Sequence, residues 1–223
     1  MEGLTLEYIL NSTKYILSEG LALTLAVFVV TIVTSVPLGL LVALGKVFGS
    51  KPVRLFLDFY TWVFRGTPLL LQLFFAYFGL SGVGIVMEPF TAAAITFALN
   101  YGAYLGEIFR AGIESIDKGQ YEAAQVLGMN KVQTMRRIVL PQTIKRVLPP
   151  LCNETITLIK DTALLAALAL GDILRATNQI ANRDGGLIGS IVPYAIAAVI
   201  YLTLTYGVVY VFGRFEKKLS IYE

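Results

Sequence analysis

Histidine is absent from this chain, and cysteine occurs once, at Cys152. A single thiol excludes an internal disulfide, and the missing imidazole excludes a Cys/His zinc site and a histidine-based triad. The chain also lacks a G-x-x-x-x-G-K-[ST] phosphate loop, so it carries no nucleotide site of that type. Charge is scarce at 15% of residues, and it vanishes from four long stretches: residues 20–45, 66–87, 89–106 and 185–213.

What fills those stretches is oil. Apolar residues make up 56% of the chain and the mean hydropathy is +0.71, far above an ordinary soluble domain. About 20 apolar residues cross a bilayer core of roughly 30 Å, so each stretch is a candidate span. A fifth, Val147–Leu170, is apolar but interrupted by Glu154, Lys160 and Asp161. The expected fold is all-α: a polytopic membrane protein with five transmembrane helices, packed as one domain over residues 1–223. With five spans, 13 of the 18 basic residues fall on one side. The positive-inside rule makes that side cytoplasmic, with the N-terminus outside and the C-terminus inside. The membrane explains the basic loops better than nucleic acid does.

Residues 1–19 have no basic stretch ahead of an oily core, and they read as an amphipathic outer segment (Leu6, Ile9, Leu10, Ile16, Leu17) instead of a cleaved signal. Pro37 and Gly39 are expected to kink the first span. Residues 53–64 are aromatic-rich, as suits an interface. The short loop Gly79–Glu88 and the longer loop Gly171–Gly186 are expected outside, with Gly185-Gly186 as a flexible end.

The long loop after the third span carries the clearest pattern. Residues 114–141 contain Glu122-Ala123-Ala124, then Gly128, then Ile138-Val139-Leu140-Pro141. Two short helices joined at Gly128 are expected, because glycine permits the positive φ of a sharp turn. Asn130 and Gln133 have the spacing of a capping box for the second helix. Val132, Met135, Ile138 and Val139 give it an apolar stripe, and Pro141 is expected to end the unit. A helical hairpin resting on headgroups is the plainer reading, but the Ala-Ala pair offers a close-approach surface for a protein partner.

The spacing E-A-A-x3-G-x9-I-x-L-P resembles, at every defined position, the cytoplasmic loop of membrane subunits of ABC importers. Arg65-Gly66-Thr67-Pro68-Leu69-Leu70 and Leu140-Pro141-Gln142 … Asn153-Glu154 … Lys160-Asp161-Thr162 are similar to the polar amino acid branch. Cys152 and Ala163 stand where that branch is expected to have Gly and Ser. The resemblance implies the type I importer transmembrane fold, a homodimer of permeases in a bacterial cytoplasmic membrane, and an outside binding protein. It implies two separate ATP-binding subunits that dock on Glu122, Ala123, Ala124 and Gly128. ATP and magnesium would belong to those subunits, leaving this chain with no cofactor, metal or catalytic residue of its own.

Ionisable residues inside a membrane are costly and point to function. At 100° per residue Asn153, Glu154, Thr157, Lys160 and Asp161 share one face of about 120°. Thr96, Asn100, Tyr104 and Glu107 form a facing stripe on the third span. Pro149-Pro150 are expected to loosen the helix below Glu154. Lys160–Asp161 and Glu107–Arg110 read as local ion pairs, and Arg65 as an interfacial anchor. Glu154 has no obvious intrahelical cation. The expected substrate-binding residues are therefore Glu154, Asn100, Tyr104, Asn153 and Thr157. A buried carboxylate favours a cationic partner, hence a basic amino acid: arginine, lysine or histidine. A neutral or acidic polar amino acid, such as glutamine or glutamate, stays open. Rivals of another class are an ion-coupled secondary transporter, for which no inverted repeat is visible, and a non-transporting anchor for an ATPase.

Overall fold

The structure is a computed structural model and describes residues 5–220. Every regular element among the described residues is helical. Helix α1 (Leu6–Phe48) begins at Thr5, whose hydroxyl accepts the Tyr8 amide at 3.2 Å, and it continues through Pro37. At 1.5 Å per residue it is about 64 Å long, twice a bilayer core. The expected boundary near residue 19 is thus not a break: the outer segment and the first apolar run are one helix, with residues 1–4 of that segment outside the described ones. Ile16 is buried against Ile173, Ala176 and Ile180 of α8 (Ile173–Asp184) and Ala197 and Ile200 of α9 (Gly186–Ser220). Helix packing takes up this part of the amphipathic face, while Leu6 and Leu10 stay exposed.

The second apolar run is not a straight helix either. Helix α2 (Lys51–Gly66) stops at Thr67, whose backbone is extended because Pro68 disfavours helical geometry in the residue before it. Helix α3 (Leu69–Phe74) restarts at 103° to α2 and passes into a π turn, Phe75–Gly79, and a 3-10 turn, Ser81–Val83. From Leu69 to Gly79 the chain rises about 17 Å, half a bilayer core, too short to cross one alone. By length and apolarity α1 and Gly189–Lys218 of α9 can each cross a bilayer, and a third span exists if the bent pair is one. Helices α4 (Pro89–Glu114) and α7 (Leu140–Asp161) carry ionisable residues that lower their hydropathy.

Helix α4 is the centre of the bundle. Its Gly102-x-x-x-Gly106 face lies against Leu38, Gly39 and Val42 of α1; a Cβ on Gly106 would stand 2.6 Å from Val42 Cγ1. Small residues at that spacing let two membrane helices approach closely. Above this seam Val27, Leu73, Phe97, Tyr101, Leu158 and Leu165 join α1, α3, α4 and α7 in one core.

The long loop folds as expected into α5 (Lys118–Val126) and α6 (Lys131–Thr134), with Gly128 at φ +72° between them. Both capping-box bonds form: the Gln133 amide donates to Asn130 Oδ1 and the Asn130 amide to Gln133 Oε1, each at 2.9 Å. Pro141 does not end the unit. Helix α6 continues through a π turn, Met135–Val139, into α7, and Pro141 stands in the first turn of α7. A proline is tolerated there because its missing N–H is not needed by the helix start. Pro149 and Pro150 likewise sit inside α7 without breaking it.

After Asp161 the chain tightens into a 3-10 segment, Thr162–Leu168, and reverses at Ala169 (φ +57°). Asp172 then caps α8, accepting the Leu174 and Arg175 amides at 2.9 and 3.1 Å. The start of α8 presses on α1 at Gly20, where a Cβ would stand 2.6 Å from the Ile173 backbone. Gly185 and Gly186, at φ +59° and +66°, form the turn from α8 into α9.

Candidate substrate cavity and coupling loop

A cavity of about 420 Å³ opens where the α2–α3 break, α4 and α7 meet. Thr67 to Leu70 supply one wall, Asn100, Tyr101 and Tyr104 the second, and Glu154, Thr157 and Asp161 the third, with Leu164 above. The broken span would leave bare carbonyls at this depth, which hydrocarbon does not tolerate. Side chains close them. Gln72 Nε2 donates to Phe64 O at 2.9 Å and Thr67 Oγ1 at 2.8 Å, and Asn100 Nδ2 donates to Phe64 O and Gln72 Oε1, both at 3.0 Å. With both recipients protein atoms, the Asn100 amide donors are spent on the break, and its Oδ1 is what remains for a ligand.

The α7 wall carries the charge. Glu154 makes no hydrogen bond and no ion pair among the described residues. Asp161 accepts a 2.8 Å bond from the Tyr101 hydroxyl. The two carboxylates are two helical turns apart, about 10 Å along the axis, and they line one cavity. Thr157 lies between them, its hydroxyl donating to Asn153 O at 3.0 Å. Asn153 itself is exposed and is not part of the cavity wall. Asp161 and Lys160 form no ion pair among the described residues, so the expected local pair is replaced by the phenol of Tyr101. Asp161 and Tyr101 are the cavity residues that sequence reasoning undervalued. The available signal was position: Asp161 follows Glu154 by seven residues, on the same helix face.

The expected stripe on α4 is divided between three tasks. Asn100 and Tyr104 line the cavity, Thr96 is buried and bonds Ala92 O at 2.7 Å, and Glu107 belongs to an ionic cluster nearer the C-terminal end of α4. Glu107 receives Arg110 Nε at 3.0 Å and Nη2 at 2.6 Å, as the i+3 spacing suggests. It also receives Lys46 Nζ from α1, which in turn meets Asp58 Oδ1 at 2.8 Å and Thr61 Oγ1 at 2.7 Å on α2. Lys46 is 8% exposed; it is a buried tie between three helices and not a free loop charge. Arg65 reaches the same cluster from the end of α2. Its Nη1 is 3.9 Å from Glu107 Oε2, and its guanidinium lies 5.4 Å from the centroid of the Tyr104 ring.

Beyond the cluster, α4 runs into the loop of residues 114–141. Arg110 pairs with Glu114, and Arg146 of α7 holds Ser115 by its carbonyl and, at 3.0 Å, its hydroxyl. Gln142 Nε2 meets Gln120 Oε1 at 3.1 Å. The loop is thus braced on both α4 and α7. Met135 and Val139 bury themselves against Ile113 and Ile116. Ala124 is buried and faces its own protein, while Glu122, Ala123 and Gly128 are exposed. Beside them Val126 and Leu127 are 87% and 78% exposed. These two large apolar side chains are adjacent on the hairpin and lie bare among the described residues.

Comparison with known proteins agrees with this geometry. Residues 35–221 match the family model for the binding-protein-dependent transport system inner membrane component. The chain is 40% identical over 218 residues to a putative glutamine transport system permease protein of Rickettsia bellii (strain RML369-C), covering 96% of this chain and 99% of the relative. It is 41% identical over 203 residues to the arginine transport system permease protein ArtQ of Bacillus subtilis (strain 168), covering 91% of each. In structure it is similar to an amino acid ABC transporter crystallised with histidines, at a TM-score of 0.87 and 34% identity over 97% of this chain and 100% of that one. The inward-facing MetNI methionine ABC transporter shares the fold at a TM-score of 0.67 and 19% identity, over 91% of this chain and 94% of that one. The chain belongs to the binding-protein-dependent transport system inner membrane component family, as a permease subunit of an amino acid ABC importer.

Proposed function

We propose that this permease carries a basic amino acid, arginine, lysine or histidine, by alternating access through a homodimer of five-span subunits with the N-terminus outside. The observation that carries the reading is the pair of carboxylates, Glu154 and Asp161, on one cavity with no protein cation bonded to either. An ionised carboxylate away from bulk water needs a positive partner or hydrogen-bond donors. Among the described residues Asp161 has one donor, Tyr101, and Glu154 has none. The cationic groups of a basic amino acid supply what both lack. The relatives bear the names of glutamine, arginine and cystine systems, so the cargo is argued from this cavity and not from kinship.

The energy comes from elsewhere. Glu122, Ala123, Gly128, Val126 and Leu127 form the docking face for the ATP-binding subunit, and the braces to α4 and α7 would pass its movement to the cavity walls. The binding protein delivers substrate from the outer face, at residues 79–88 and 171–186. A membrane-reconstituted complex tests the cargo directly. With the wild type, arginine and lysine should stimulate ATP hydrolysis more than glutamine does. Glu154→Gln should weaken arginine-driven uptake by about tenfold or more, the worth of one charge-assisted bond. Unchanged arginine uptake, with no gain for glutamine, would refute the basic-substrate reading.

A further inference from the structure

One wall of the cavity, that of α7, carries two carboxylates, and the Arg65 guanidinium lies at the rim over Tyr104. We infer that Arg65 is the anchor for the α-carboxylate of the transported amino acid. The inference rests on the reading that this cavity takes a basic amino acid.

Charge complementarity is the first ground. A basic amino acid carries two cationic groups and one carboxylate. Glu154 and Asp161 match the former, and the carboxylate needs a cation within reach. No Lys or Arg is on the cavity wall itself. Arg65 lies two residues before Thr67, and its guanidinium is 5.4 Å from the centroid of the Tyr104 ring, Tyr104 being part of that wall. Its backbone is fixed there, since Arg65 O accepts the Tyr104 hydroxyl at 3.4 Å.

Availability is the second ground. Glu107, the acid nearest Arg65, already takes closer bonds from Lys46 and from two nitrogens of Arg110. The Arg65 approach to it, 3.9 Å, is the longest of the set. The Arg65 side chain is 44% exposed, against 6% for Lys46. A planar guanidinium so placed presents a two-pronged donor suited to a carboxylate. Its neighbour Glu107 also gives occupancy a route inward: a carboxylate that draws Arg65 toward the cavity loosens it from the cluster tying α1, α2 and α4.

The test uses the permease–ATPase complex in nanodiscs, without the binding protein, and radiolabelled L-arginine competed by L-arginine or by L-argininamide, which lacks the carboxylate. Wild type should prefer arginine over the amide by about ten- to a hundredfold, the range of a charge-assisted bond. In Arg65→Gln the two should compete alike. Glu154→Gln should weaken both equally and leave their ratio unchanged. Arg65→Lys, which keeps the charge and loses the fork, should show an intermediate ratio and serves if Arg65→Gln fails to assemble. A packing role for Arg65 would lower stability and affect both ligands equally. A wild-type ratio in Arg65→Gln, or in Arg65→Lys where that variant stands in, overturns the anchor. If wild type binds labelled glutamine and no arginine, the basic-substrate reading fails alone, and the ratio of glutamine to glutaminamide then decides the anchor. Binding of neither overturns both.

Discussion

Replacing Glu107 by Gln keeps the shape of the side chain and removes the anion on which Lys46, Arg65 and Arg110 converge. Three charge-assisted bonds are lost or weakened, nominally about 1.5–3 kcal/mol each. Their sum overstates the cost. Arg110 is 32% exposed and retains Glu114, so solvent and the second acid replace most of what it loses. Lys46 retains Asp58 and Thr61. What remains is the buried half of the Lys46–Glu107 pair, about 2–3 kcal/mol, below the usual cost of breaking a buried pair outright because neither ion is left alone. For a chain of this size 1 kcal/mol moves the melting temperature by about 2–4 °C, so the drop should be about 4–12 °C. The purified complex can be followed by a thiol-reactive dye, with Cys152 as this subunit's one reporter. Lys46→Met should cost a similar amount, and the double variant should fall short of the sum by about 2 kcal/mol. Additivity within about 0.5 kcal/mol would mean that the two residues do not interact and would refute the cluster as a stabilising tie.

Gly106→Ala should lower the melting temperature by the equivalent of about 1–3 kcal/mol, as overpacking does, and Val42→Ala should restore part of it, because Val42 Cγ1 is the atom in the way. Burial pushes the Asp172 carboxyl up to about 6, against the lowering effect of its amide bonds. A folded-state value above the unfolded one means that the native form holds its proton longer. Stability should therefore fall as pH rises from about 4 to about 6 and level off above that. Asp172→Asn keeps a good cap and should flatten that slope in a melting-temperature series. Leu127→Asp and Glu122→Lys, both on exposed positions, should leave the permease's own stability within about 0.5 kcal/mol while abolishing co-purification of the ATPase; retention of the ATPase would remove the loop from the docking surface.

The parts of the fold that one strand of sequence encodes locally were legible. The capping box at Asn130 and Gln133 and the turn at Gly128 both formed as their residue types require. So was the polar face of α7, because helical spacing alone aligns Glu154, Thr157 and Asp161. What failed depended on neighbours. Charge-free length marks residues 66–87 only as one candidate span, and it gives no sign of the break at Thr67, which is sealed by Asn100 from α4 and by Gln72. Gln72, the lone polar residue in Leu69–Phe74, was the trace of it. Lys46 looked like a cytoplasmic loop charge because its partners, Asp58, Thr61 and Glu107, come from two other helices. Pro141 reads in sequence as an end but stands in the first turn of α7, and Pro149 and Pro150 are carried inside that helix. Asn153 shares the polar face by angle but is outside the wall, since a cavity is bounded by other helices and not by a helical wheel.

The continuity of α1 has a mechanical consequence. Its N-terminal third is clamped where Gly20 admits the Ile173 backbone, and its C-terminal end is tied through Lys46. A rod about 64 Å long, held at two levels, works as a lever: a tilt of about 5° displaces one end by about 5 Å relative to the other. Events on the two faces of the membrane therefore share one rigid body and need no relay of side chains between them. Pro37, the point where the helix lacks a backbone donor, is where such a lever would bend first, about three-quarters of the way along it from Leu6.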